Sequence, residues 1–64
     1  MSLKKQLLDI AKRARVPLER VVEEHSERAA IREYLGGMPR AQANAEAVRD
    51  TCDVLGVSMP EEKL

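Results

Sequence analysis

Two adjacent glycines followed by Met38 and Pro39 constrain this chain more than any other feature. Glycine adopts the left-handed conformation that ends many helices without steric cost. Proline suits a helix's first turn, where its missing N–H would have had no partner. Gly36-Gly37-Met38-Pro39 therefore predicts a helix, a tight corner and another helix.

Apolar residues on both sides of the corner recur with helical spacing. A first helix is expected from about Ser2 to Ala14, with Ser2 as N-cap and Leu3, Leu7, Ile10 and Ala14 on one face. Leu8 and Ala11 flank that face, and Lys4, Lys5, Lys12 and Arg13 take the solvent side. Arg15-Val16-Pro17 interrupts the pattern, because the residue before a proline is disfavoured in helical geometry. A second helix follows from Pro17 to Leu35, its inner face formed by Leu18, Val21, Val22, His25, Ala29 and either Arg32 or Tyr34. A third runs from Pro39 to about Leu55, with Ala41, Ala45, Val48, Cys52 and Leu55 as its buried stripe. Gly56 ends it, and Val57 is placed to fold back.

The fold class is all-α: a small three-helix domain over residues 1–57, with a helix-Gly-Gly-helix hairpin and a flexible tail at 58–64. The alanines of the third helix let helix axes approach closely, so it is expected to lie tight against the second. A chain of 64 residues buries only about 60% of the surface its unfolded form exposes. Its apolar content is 15 Leu, Ile and Val and 8 Ala, with one Tyr and no Phe or Trp, so the large aromatic burial terms are missing. Short chains make up the difference with disulfides, metal or a partner surface. One cysteine forms no internal disulfide, and no metal-ligand spacing is present. A protein partner or a second copy is therefore the expected support.

Nothing here reads as a signal peptide or as about 20 apolar residues in a row. With its single cysteine, the chain reads as soluble and cytoplasmic. Eleven basic and eleven acidic residues cancel overall, but residues 1–20 carry a local +4 and residues 41–64 a local −3. The basic segment could lie on phosphate or an acidic protein face, or pair two copies head to tail. Overall neutrality weighs against strong nonspecific nucleic-acid binding, which needs many phosphate contacts.

Catalytic chemistry finds little to work with. His25 is the only histidine, and the acids and serine beside it point in other directions on a helix. It reads as the inner edge of the second helix. Cys52 keeps register with Val48 and Leu55 and reads as a small buried hydrophobe. Gly36-Gly37 lacks the lysine and further glycines of a phosphate-binding loop. The expectation is a non-enzymatic protein without cofactor or metal.

Residues 10–24, IAKRARVPLERVVEE, resemble a helix-turn-helix: Ala11 at the close-packed position, Val16 in the turn and Val21 anchoring the second helix. Arg15 stands where that motif usually has glycine, and Glu19, Glu23 and Glu24 accompany Arg20 on the would-be recognition helix. A DNA-binding regulator would use Lys12, Arg13, Arg15 and Arg20. The bland alternative is ordinary packing of two helices.

Residues 27–47 offer a second resemblance. Glu27, Arg28, Ala29, Ala30, Ile31, Glu33, Tyr34, Gly36, Gly37, Arg40 and Ala41 are similar to a short helical element of bacterial phage and plasmid replication-associated proteins. In those, an E-R-A-A-I-x-E-Y-x-G-G stretch precedes an alanine-rich helix, often trailing primase- or helicase-like domains. Leu35 departs from the polar residue frequent there. The resemblance covers about a third of the chain and carries no catalytic residues. It implies a mobile-element setting and a docking or regulatory role. Arg28, Arg32, Tyr34 and Arg40 are the candidate partner-binding residues, since Tyr and Arg are enriched at interface hot spots. Against this stand a Tyr34 ring packed on the third helix and arginines that are merely solvated.

Overall fold

The computed structural model describes residues 2–59 and contains three helices: α1 (Leu3–Ala14), α2 (Leu18–Tyr34) and α3 (Arg40–Leu55). Among the described residues there is no strand, and no helix is long and apolar enough to cross a membrane. The architecture is the all-α three-helix domain that the spacing predicts.

Local chemistry accounts for each boundary. Ser2 is extended and its hydroxyl accepts the Lys5 amide at 3.4 Å, capping α1. At the other end Arg15 takes the left-handed conformation, φ 59°, and the amides of Arg15 and Val16 both donate to the Ala11 carbonyl. Such a φ costs a non-glycine residue about 1–2 kcal/mol. Val16 meets that cost in part by turning its side chain onto the core. Pro17 and Pro39 sit one position outside their helices, as N-caps, rather than in the first turn as expected. Both are extended, and their carbonyls start the helical ladders by accepting from Arg20 at 3.1 Å and Ala43 at 2.9 Å.

At the corner, the amides of Gly36 and Met38 converge on the Arg32 carbonyl at 3.1 and 3.3 Å. A Cβ on Gly36 would lie 2.7 Å from that same oxygen, and Gly37 has φ +65°. Each glycine thus has its own reason: close backbone approach at 36, left-handed backbone at 37. The end of α3 repeats the device of α1, with Gly56 at φ 73° and the Val57 amide donating to Cys52 O at 3.0 Å. Of the expected tail, Ser58 and Met59 lie against α1, where Arg13 donates to the Ser58 carbonyl and hydroxyl, both at 3.2 Å. Residues 60–64 lie outside the described residues.

The core cluster is Leu7, Ile10 and Ala11 from α1, Val21 from α2, and Val48 and Cys52 from α3, ringed by Leu3, Val16, Leu18, Leu55 and Val57. The α2–α3 interface is the most extensive of the three, as the alanine content of α3 predicts. The stripe expected on α3 is corrected in part. Ala41 and Ala45 are exposed, whereas Ala43 and Ala47 are buried beside Val48, Thr51 and Cys52. Leu8 and Val22 likewise lie outside the core. Bonds between α2 and α3 pair His25 with Asn44 and Arg32 with Asp50, so partners advance together along both helices. Helices retracing one another would pair in opposite order; α3 therefore crosses α2.

Candidate functional site

The second half of α2 and α3 set the residues that the sequence marks for partner binding along two separate grooves, Arg28 and Arg32 in one and Tyr34 and Arg40 in the other. Arg32 makes a two-pronged contact with Asp50, its Nε and Nη2 donating to the two carboxylate oxygens at 2.6 and 2.9 Å. The guanidinium fork matches a carboxylate, which makes such pairs the stronger ion pairs. Hydrogen bonding from Arg32 holds the Asp50 carboxyl below its ordinary 3.8, and the charges of Arg32, Arg28 and Arg49 add to this while burial opposes it. The same bond raises Arg32. Arg32 is therefore the residue on the inner edge of α2, and it clamps the α2–α3 crossing.

A pH dependence follows, with its sign set by the direction of the shift. A carboxyl depressed in the folded state contributes stability above its unfolded value and loses it as pH falls through the folded one. Thermal stability should thus decline from about pH 4 downward as Asp50 protonates. In Asp50→Asn that increment of acid sensitivity should be missing, and thermal melts of both proteins across pH should show it. Equal acid dependence in the two would exclude the clamp as its source.

The other candidates are less committed. Arg28 pairs with Glu24 at 3.0 Å along α2, and Arg40 pairs with Glu33 at 3.2 Å across the corner. Both are exposed enough to be worth roughly 0–1 kcal/mol and to exchange partners readily. Tyr34 does not pack on α3: it is 83% exposed, and Leu35 beside it is 85% exposed. Ile31 and Val54 are half exposed as well. They lie in an open groove whose α2 wall carries Arg28 and Arg32 and whose α3 wall carries Asp50 and Asp53.

Val54, Asp50 and Asp53 line this groove without having been named from the sequence, and neither Ile31 in the groove nor Leu35 near it was among the candidates for partner binding. One signal was available. Ile31 and Leu35 stand four apart, off the line of Leu18, Val21 and His25.

His25 is buried, as expected, and its Nε2–H donates to the Asn44 carbonyl at 3.1 Å. It joins the helices at the opposite end of the crossing from Arg32. Cys52 is buried, and its thiol is pushed up by that burial, with the charge of Asp53 adding and that of Arg13 opposing. It stays protonated at neutral pH and packs as a small apolar group. Thr51 satisfies its buried hydroxyl by donating to Ala47 O at 2.7 Å.

Of the basic set, Lys12 and Arg15 are exposed at the end of α1. Arg13 is occupied by Asp9 at 3.1 Å and by Ser58. Arg20 lies apart on α2, in an open depression otherwise lined by Pro17, Glu19, Glu23, Glu24 and Glu27. Of the four, only Arg20 lines that depression. Among the described residues no group of three His, Cys, Asp or Glu is placed to hold a metal ion. No protein-family model matches the chain, and neither a curated protein nor a solved structure matches it significantly.

Proposed function

We propose that this protein is a small non-enzymatic docking module that binds a protein partner through the corner between α2 and α3. The carrying observation is the exposure of neighbouring Tyr34 and Leu35, at 83% and 85%. Each large apolar side chain gains about 1.5–3 kcal/mol when it is taken from water. Here that gain is left for a partner. Tyr34 offers a rigid ring with a polar tip, and Arg40 beside it and Arg28 further along α2 are cations whose present pairs are weak. The likeness of residues 27–47 to replication-associated elements supports a bacterial phage or plasmid setting, with the module acting in the cytoplasm.

The test is photocrosslinking in cells from a benzophenone side chain at position 34 or 35, with exposed Gln42 as control position. A discrete protein adduct from 34 and 35, absent from 42, is the expected result. Tyr34→Ala with Leu35→Asp should cut an adduct captured from position 31 about tenfold or more while leaving the melting curve nearly unchanged, since exposed positions rarely matter to stability. Identical adducts from all positions, or none, would overturn docking at the corner.

DNA binding is the second function that a specific observation favours. Arg15 adopts the left-handed conformation at the position where a helix-turn-helix usually has glycine, between buried Ala11 and Val21. The acidic lining around Arg20 opposes it, because a phosphate-lined groove repels Glu19 and Glu23. Duplex binding that weakens with salt and with Lys12→Gln plus Arg15→Gln would establish it; a duplex left unbound at low salt would dismiss it.

A further inference from the structure

We infer that the occupant of the groove between α2 and α3 is a second copy of this chain, related by a two-fold axis running along the groove. The inference rests on the docking reading above, extends it from the corner to the groove beside it, and names the partner there. The floor of the groove is apolar, with Ile31 at 47% and Val54 at 49% exposure. Its walls are opposite in charge: Arg28 and Arg32 on α2, Asp50 and Asp53 on α3. A two-fold interface uses one patch twice, so the patch must complement itself. An axis along the groove sets the α2 wall of one copy over the α3 wall of the other, cation over anion, with Ile31 and Val54 meeting between them. An axis across the groove would set like charges together.

Arg32 and Asp50 are engaged with each other, which leaves the outer pair to bridge the copies. Arg28 has only an exposed pair with Glu24 to exchange, and Asp53 is exposed on the facing wall. The core supplies an independent reason. The large apolar side chains that are fully buried are Ile10, Val21 and Val48. One cysteine forms no disulfide within a chain, and the described residues hold no metal cluster, so association is the remaining support open to so small a core. A second copy provides both signs of charge and the apolar surface at once.

Sedimentation equilibrium of the full chain over a concentration series tests this, with helicity followed on the same samples. The wild type should pass from monomer to dimer with rising concentration. Arg28→Glu and Asp53→Lys should each weaken the dimer about tenfold or more, since each sets like charges across the axis twice. An equal mixture of the two variants should recover wild-type affinity, because their heterodimer restores both bridges. Asp53→Lys also guards against a folding artefact, since a cation in the last turn of α3 suits the helix dipole.

A monomeric wild type at all concentrations overturns the inference, as does a dimer indifferent to both charge reversals or a mixture that stays weak. A monomer that still forms a discrete adduct with another protein from Tyr34 or Leu35 would overturn only the second copy. A monomer without any adduct would overturn the docking reading too.

Discussion

Ile10→Ala is expected to leave much of the protein unfolded at room temperature. Ile10 is fully buried and lies in the one cluster to which all three helices contribute. Removing its outer carbons forfeits their transfer from water and leaves a cavity, a change that typically costs 2–5 kcal/mol, with about 3 as a central value. Chains below about 70–80 residues rarely hold more than about 3–5 kcal/mol in total. The loss is thus comparable to the whole stability. Urea titration followed by circular dichroism should show a low or missing folded baseline for Ile10→Ala. Ile10→Val, which removes one carbon, should shift the midpoint by a fraction of that, about 0.5–1.5 kcal/mol. A shift below about 1 kcal/mol for Ile10→Ala would mean that the cluster does not carry the fold.

Ala47→Leu should destabilise by about 1–3 kcal/mol, while Ala45→Leu should change stability by less than about 0.5 kcal/mol. Alanine and leucine have similar helix propensities, so the comparison isolates packing. Ala47 is completely buried, midway along α3 between Asn44 and Asp50, which both bond α2, and three added carbons there must push the helices apart or force strained rotamers. Ala45 faces water. Midpoints of chemical denaturation for the two variants decide the matter. The reverse order would mean that α3 is rotated about its axis relative to this structure, with Ala41 and Ala45 turned inward.

That rotation shows how far the sequence reaches. Residues on a helix turn by about 100° each, so Ala41 and Ala45 fall close to the line of Val48, Cys52 and Leu55. Ala43 and Ala47 fall well to one side of it. A single-stripe reading therefore chooses 41 and 45. Yet α3 touches two helices and buries roughly half its circumference: Val48, Cys52 and Leu55 join the cluster containing α1, while Ala43 and Ala47 serve the crossing with α2. Alanine is too weakly apolar to reveal the second side by pattern. Thr51 on that side reads as polar until its hydroxyl is seen bonded to Ala47 O.

The candidate face was legible in a similar measure. Arg28, Arg32, Tyr34 and Arg40 were visible as the Tyr and Arg residues of the stretch that carries the resemblance, but neither their roles nor their division between two grooves was. Arg32 and Tyr34 stood as alternatives for the inner edge of α2. Only the position of Asp50, 18 residues further on, decides for Arg32 and leaves Tyr34 to solvent. Ile31 and Val54 share a groove for the same reason. Their proximity depends on the crossing of two helices, which no local spacing encodes.

What the sequence alone determined is the set of short-range decisions: Ser2 as cap, Gly37 and Gly56 in left-handed conformation, breaks at Pro17 and Pro39, and three helices between them. Each follows from sterics and hydrogen bonding within a few residues, so each is written in neighbouring letters. The tertiary structure decided which alanines are buried, which arginine clamps the crossing, and that Arg15 turns left-handed without being glycine. Those outcomes depend on side chains distant in the chain competing for one small core, and the packing of all three helices settles them together.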